Sequence, residues 1–253
     1  MRRSIAFANA RGHVRAAPGI DVRGTSNFIR ADILHDNEDS GIQLYNGAND
    51  TIVANNVVYD NGDQGIDILD SKGATIVSNT VVRNVTSGIN AEGGSTNTTI
   101  VNNISVDNAL SNTFGQKGNI CIDDDSVRGT TVDFDVLFLS SPRTMAKWSG
   151  TPYDSLSAFA VATGQESHGL QEEPSWVAPA RGDFHLVSGS PGIDSANSGA
   201  PAQPRRDIVG SVRVDDPATQ NTGAGPRGFD DRGAYEYQAA VLLTPRPAAE
   251  SAP

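Results

Sequence analysis

Acidic and amide side chains recur at fixed steps in the first half of this sequence. Gly65-Ile66-Asp67-Ile68 is followed by Gly88-Ile89-Asn90-Ala91 and later by Asn119-Ile120-Cys121-Ile122, with Gly41-Ile42-Gln43-Leu44 ahead of them. In each, a polar residue or cysteine stands between two apolar ones. If the apolar pair faces inward on a strand, Gln43, Asp67, Asn90 and Cys121 face outward in one column. One step further along lie Tyr45, Leu69, Glu92 and Asp123, with Asp70, Asp124 and Asp125 near the edge. An oxygen-only set such as Asp67, Asn90 and Glu92 suits Ca²⁺, which prefers hard oxygen ligands. Carboxylates converging at about 5–10 Å suit glycoside hydrolysis, and Asp67, Glu92 and Asp123 are the candidates. The plainer account is a solvated face of an acidic protein. Lysine occurs only at Lys72, Lys117 and Lys147, and the four histidines (His13, His35, His168, His185) show no ligand spacing, which argues against copper or zinc.

Those columns require an element that repeats. Ile29-Arg30-Ala31-Asp32-Ile33-Leu34-His35-Asp36-Asn37 lies without gaps over Val53–Asn61, Ile76–Asn84 and Ile100–Asn108. The terminal asparagine recurs at 37, 61, 84 and 108, spacings of 24, 23 and 24 residues. Leucine-rich repeats share this length range, but their leucine pattern is absent. The abundance of β-branched residues and asparagine disfavours helices. What remains is a coil of short strands, one turn per repeat, with successive turns pairing in parallel about 4.8 Å apart. Ile42, Ile66, Ile89 and Ile120 then form one inward stack, and Leu44, Ile68, Ala91 and Ile122 the next. Asn37, Asn61, Asn84 and Asn108 stack in register as an amide ladder.

Composition divides the chain and bounds its class. Of 13 prolines only Pro18 precedes residue 142, whereas asparagine is scarce after Asn119. Proline is excluded from interior sheet, so we expect repeats over 1–125, a capping and return region over 126–238 packed on the end of the coil, and a disordered Ala/Pro-rich tail over 239–253. A short helix near Pro152–Thr163 capped by Ser155 is expected in the cap, with Trp148, Tyr153, Phe159 and Trp176 plugging the coil. Only 37% of the 253 residues are hydrophobic and 6% aromatic, which narrow aliphatic columns accommodate. The formal net charge of −11 argues against binding nucleic acid. One cysteine excludes an internal disulfide framework, and no apolar run is long enough for a membrane span. Arg2 and Arg3 open the chain like the start of a signal peptide, but the stretch behind them is too short and too soon interrupted for an export signal.

The motif Asn55-Asn56…Asn61…Gly65-Ile66 resembles the right-handed parallel β-helix repeat family, which includes pectate-lyase-like and NosD-like proteins. Gly182-Asp183-Phe184-His185-Leu186, Ser190-Pro191-Gly192-Ile193-Asp194 and Asp231-Arg232-Gly233-Ala234-Tyr235-Glu236-Tyr237 resemble the tail common after β-helices in secreted bacterial proteins. The resemblance covers roughly residues 4–238 and implies an all-β, single-stranded parallel β-helix of about five turns. It implies an extracellular or cell-surface protein, most simply a monomer, whose partner is a polysaccharide or cell-surface glycan. β-Helix lyases that act on acidic glycans use Ca²⁺ to neutralise a uronate and a lysine or arginine as base. By that resemblance Lys72 is the first candidate base and Arg83 the second, Asp67, Asn90 and Glu92 hold the metal, and Asp70 and Asp123 contact substrate. The alternatives are a non-catalytic glycan-binding or surface-attachment β-helix and a glycoside hydrolase using paired carboxylates. An anionic polymer meets a protein of like charge unless Ca²⁺ or a local arginine cluster inverts the field.

Overall fold

Each short strand in the coil holds its neighbours in the turns before and after it. The computed structural model describes residues 3–10, 17–110 and 117–239. Strand β1 (Ile5–Phe7) is followed by five three-strand turns: β2 (Ile20–Val22), β3 (Phe28–Arg30) and β4 (Ile33–His35); β5 (Ile42–Tyr45), β6 (Ile52–Ala54) and β7 (Val57–Tyr59); β8 (Gln64–Leu69), β9 (Thr75–Val77) and β10 (Thr80–Val82); β11 (Ser87–Glu92), β12 (Thr99–Val101) and β13 (Ile104–Val106); β14 (Ile120–Ile122), β15 (Thr131–Asp133) and β16 (Val136–Phe138). They build three parallel sheets along a solenoid of about six turns, one more than expected. β15 and β16 complete a turn beyond residue 125, so the coil extends past the expected boundary. Among the described residues no helix is long and apolar enough to cross a membrane.

The aliphatic columns form as expected. Ile20, Ile42, Ile66, Ile89 and Ile120 are in register, as are Val22, Leu44, Ile68, Ala91 and Ile122, and all are buried. Ile29, Val53, Ile76, Ile100 and Val132 face them from the sheet of β3, β6, β9, β12 and β15. Like packs on like, so a narrow core closes without bulky side chains.

The sharp corners rest on amides. Asn37 Nδ2 donates to Asn61 Oδ1 at 2.9 Å, Asn61 to Asn84 at 2.9 Å, Asn84 to Asn108 at 3.0 Å and Asn108 to Asn119 at 3.0 Å. Each acceptor oxygen also takes the backbone N–H of the preceding rung's asparagine. A second ladder, not foreseen from the sequence, runs from Asn56 to Asn79 (3.0 Å), Asn103 (3.0 Å) and Asp135 (2.9 Å). It fills the two-residue corners in which Asn55, Ser78, Asn102 and Phe134 adopt positive φ. The glycines of the Gly-Ile signature follow from the first ladder. A Cβ on Gly65 would lie 2.7 Å from Asn84 Nδ2, and one on Gly88 2.8 Å from Asn108 Nδ2.

The rest of the chain caps one end and then returns along the flank. β17 (Ala146–Trp148) adds to the seven-stranded sheet, and β18 (Thr151–Tyr153) turns back antiparallel to it. Helix α1 (Leu156–Thr163) starts where expected: Ser155 Oγ accepts from Ala158 N–H at 3.2 Å, and Gly164 closes it with φ 72°. Trp148 and Tyr153 pack edge-on against buried Phe159 at the end of the core. Trp176 lies elsewhere. With β19 (Trp176–Ala178) and β20 (Asp183–Leu186) it covers the outer side of β7, β10 and β13, where Phe184 meets Val57 and Val82 and Leu186 meets Ile104. The region 126–238 therefore covers a side of the coil as well as its end, because the outward residues Val57, Val82, Ile104 and Val136 are apolar and need cover. Arg232 fastens it, donating to the carbonyls of Ser195, Asp135 and His168. Of the tail expected over 239–253, residues 240–253 lie outside the described residues.

Two predictions follow from the corners. Asn84→Ala removes partners from Asn61, Asn108 and two carbonyls, and unfolding in urea should show a loss of about 3 kcal/mol or more, since each orphaned buried polar group costs ~1–3 kcal/mol. Asp135→Asn at the ladder's end should be tolerated, because one amide oxygen can take both N–H groups of Asn103 and the amide N–H can replace the proton shared with Glu166. The second concerns the buried Asp135–Glu166 pair, where Asp135 Oδ2 and Glu166 Oε1 have no other partner. Burial pushes Asp135 up to about 7 and Glu166 well above its ordinary value, so the pair retains a proton. The unfolded chain releases such protons near pH ~4, so this stability is present below about pH 4 and is lost as pH rises through about 7. The melting midpoint should be higher at pH 5 than at pH 8, and Glu166→Gln should narrow that gap.

Candidate functional site

The outer face of the β5–β8–β11–β14–β17 sheet carries the predicted polar column. Gln43 is in register with Asp67, Asp67 with Asn90, Asn90 with Cys121, and Cys121 with Lys147. Asp67 Oδ1 accepts from Asn90 Nδ2 at 2.9 Å, and its Oδ2 from Gln43 Nε2 at 3.4 Å. Asp67, Asn90 and Glu92 are thus brought together. The column is not a solvated face, however: Asp67 is 2% exposed, and Asn90 and Cys121 are fully buried.

Part of its cover comes from Lys117, which precedes β14. Its Nζ lies 2.8 Å from Glu92 Oε2 and 3.5 Å from Asn90 Oδ1. Glu92 and Lys117 remain partly open to solvent. Asp123 lies at the next rung, its Oδ1 3.9 Å from Cys121 Sγ. Burial, reinforced by the Glu92 charge, pushes Asp67 up to about 7 against the hydrogen bonds from Asn90 and Gln43. Burial raises Asp123 too, with Lys117 opposing and Glu92 adding. For Lys117, burial works against the ammonium, but the hydrogen bond and charge of Glu92 outweigh it and leave the pKa above its usual value. The Cys121 thiol is pushed up to about 12 by burial, which removes it as a nucleophile.

The other nominated residues lie apart. Asp70 is exposed just past the end of β8, with φ 48°. Lys72 is exposed in the following turn, where its backbone N–H meets Asn49 Oδ1 at 2.7 Å. Arg83 sits on another sheet, bound in a fork to Asp60 at 2.8 and 2.7 Å and lying over Phe184. Neither candidate base is brought to Asp67; the cation there is Lys117. The sequence signal for it was its place three residues before Ile120, but an insertion had displaced that turn from the 24-residue spacing.

The donor set also bears on Ca²⁺, which needs about six to eight oxygen ligands. One Asp67 oxygen is committed to Asn90, and Glu92 is neutralised by an ammonium. Among the described residues no group of three or more His, Cys, Asp or Glu is disposed to hold a metal ion. In this arrangement the Lys117 ammonium occupies Glu92.

Residues 4–133, about half of the chain, match the family model for the right handed beta helix region, and the chain belongs to that family. No curated protein matches it.

Asp67 supplies a prediction. Its raised pKa means that stability present below about pH 4 is lost as pH rises through about 7. Asp67→Asn keeps an acceptor for Asn90 and removes the buried charge. It should raise the unfolding free energy at pH 8 by on the order of 2–4 kcal/mol and leave it unchanged at pH 4, measured by denaturant titration at both values.

Proposed function

We propose that this member of the right-handed β-helix family is an extracellular glycan-binding protein that holds polysaccharide along the outer face of the β5–β8–β11–β14 sheet. One observation carries the reading: partly open Tyr45, Leu69, Glu92 and Asp123 follow one another on successive rungs of a rigid sheet, about 4.8 Å apart, with the Lys117 ammonium beside Glu92. Arg23 lies 4.8 Å over the Tyr45 ring and holds it in place. An aromatic face followed by fixed donors and acceptors suits the apolar faces and hydroxyls of sugars. Elimination chemistry has less support. A base must be free to take a proton, and Lys117 is held as an ammonium by Glu92.

Asp67 favours a second reading, hydrolysis. A carboxyl that keeps its proton near neutral pH beside an ion-paired carboxylate is the acid half of a hydrolytic pair. Its burial would require the Lys117 segment to move before a glycosidic oxygen reached it.

Titration calorimetry against a panel of neutral and acidic polysaccharides tests both. The glycan-binding reading expects saturable binding that weakens about tenfold in Glu92→Gln and Lys117→Gln. Reducing ends that appear with the wild type and not with Asp67→Asn would favour hydrolysis, and an unsaturated sugar product would restore a lyase. No binding to any polymer on the panel removes the proposal.

A further inference from the structure

A second site lies on another side of the coil, where the return segment crosses the first turns. A cavity of about 400 Å³ opens there between the β3–β4 and β6–β7 corners and the segment 202–210. Arg3, Arg30, Arg205 and Arg206 line it, and all four are exposed. Among the described residues none of the four pairs with a carboxylate at ion-pair distance. Their charges are therefore gathered on one cavity without a carboxylate partner, in a chain whose formal charge is −11.

The one acidic residue in the lining does not neutralise them. Asp207 is buried, and its oxygens accept the backbone N–H groups of Gly210 (2.8 Å), Ser211 (2.7 Å) and Glu236 (3.2 Å). The walls are also fixed. Asn55 Nδ2 donates to the Arg206 carbonyl at 2.5 Å, and Asn55 Oδ1 accepts from Arg213, itself in a buried pair with Glu236 at 2.7 Å. Arg206 Nη1 donates to the Gly210 carbonyl at 2.8 Å, which orients its guanidinium. Arg30 lies 5.4 Å over the Phe28 ring, whose exposed edge gives the cavity an apolar wall.

We propose that this cavity is a binding site for an organic polyanion: a phosphate ester, or two adjacent sulfate or carboxylate groups, carried on a polyol. Guanidinium groups recognise such oxyanions in pairs of parallel hydrogen bonds. Four of them around one cavity exceed what a single carboxylate balances, so the ligand carries at least two negative charges. The cavity volume lies in the range that encloses a small organic ligand. The site is separate from the Asp67 face and does not depend on the glycan reading made there.

The test is titration of the full chain with inorganic phosphate, a hexose phosphate, a sulfated disaccharide, a short oligouronate and a neutral oligosaccharide of matched length. The proposal expects at least one polyanion to bind, and the neutral sugar not to bind at this site. Binding should weaken about tenfold in Arg30→Gln and in Arg205→Gln, and fall steeply as salt rises. Arg128→Gln, an exposed arginine outside the cavity, should leave affinity unchanged, which separates the site from net charge. The arm that binds most tightly distinguishes phosphate, sulfate and carboxylate as the source. Equal binding of neutral and anionic ligands, equal loss in Arg128→Gln, or no polyanion binding by a protein that still melts cooperatively overturns it. Because the variants lie away from Glu92 and Lys117, loss of polymer binding at the sheet face and loss of anion binding here are read separately.

Discussion

A coil this narrow must turn its backbone through tight corners inside the protein, where water cannot satisfy the peptide groups. That constraint governs the rest of the structure. An inward amide both accepts and donates, so it can close one corner and brace the next, and asparagine is the shorter of the two side-chain amides. Asn61, Asn84 and Asn108 each accept a backbone N–H and a side-chain N–H from one neighbouring turn. Their own Nδ2 groups reach backbone carbonyls of the turn before. Gly41, Gly65 and Gly88 are glycine because a Cβ would run into the side chain of Val58, Val81 or Ser105, the backbone carbonyl of the next turn and the ladder amide together. The serines of a third corner work the same way, Ser71 N–H donating to Ser95 Oγ and Ser95 N–H to Ser126 Oγ.

Fixing the corners fixes the register, and register is what makes a site on such a fold. Once Asn84 sits against Asn61, Asn90 must lie opposite Asp67 and Glu92 opposite Leu69. Of the Asp67 cluster only Lys117, at the end of an insertion, is placed by something other than the register. The same rigidity explains the cost of burying Asp67: a sheet held on both sides by ladders cannot splay to hydrate a carboxylate. Asn90, Gln43 and the Lys117 ammonium stand in for water around it.

The coil was legible because each of its physical requirements leaves a residue behind at a regular interval. The asparagine ladder, the aliphatic columns and the glycines all recur about every 24 residues and could be aligned by eye. The second ladder was hidden in plain letters. Asn56, Asn79 and Asn103 recur at the same spacing, but Asp32 and Asp135 end the series with carboxylates, so the column is less regular than the one that begins at Asn37. Lys117 was invisible as a partner because an insertion displaced it from the repeat. The flank-covering path of residues 170–238 repeats nothing, so no periodicity could announce it. Only the apolar outward positions Val57, Val82, Ile104 and Val136 required that something cover them. The helix at Leu156–Thr163 was readable for a local reason, the serine cap and the glycine stop.

The charge of the molecule also reads differently once burial is known. The formal −11 counts every aspartate and glutamate as ionised. Burial pushes Asp67 up to about 7 and Asp194 up to about 6, and raises Asp231 and Glu166 well above their ordinary values. Several carboxyls therefore carry protons at or near neutral pH, and the charge that solvent meets is less negative than the sequence sum. At the cavity of Arg30 and Arg206 the one acid in the lining, Asp207, spends its oxygens on the backbone N–H groups of Gly210, Ser211 and Glu236 and not on the guanidiniums. An anion approaching that cavity meets local positive charge within a Debye length of about 8 Å, and the more distant surface carboxylates are screened. Net charge thus works against a polyanion over the molecule as a whole, and folding opposes it locally by laying the return segment across the first turns of the coil, which gathers Arg3, Arg30, Arg205 and Arg206 at one cavity.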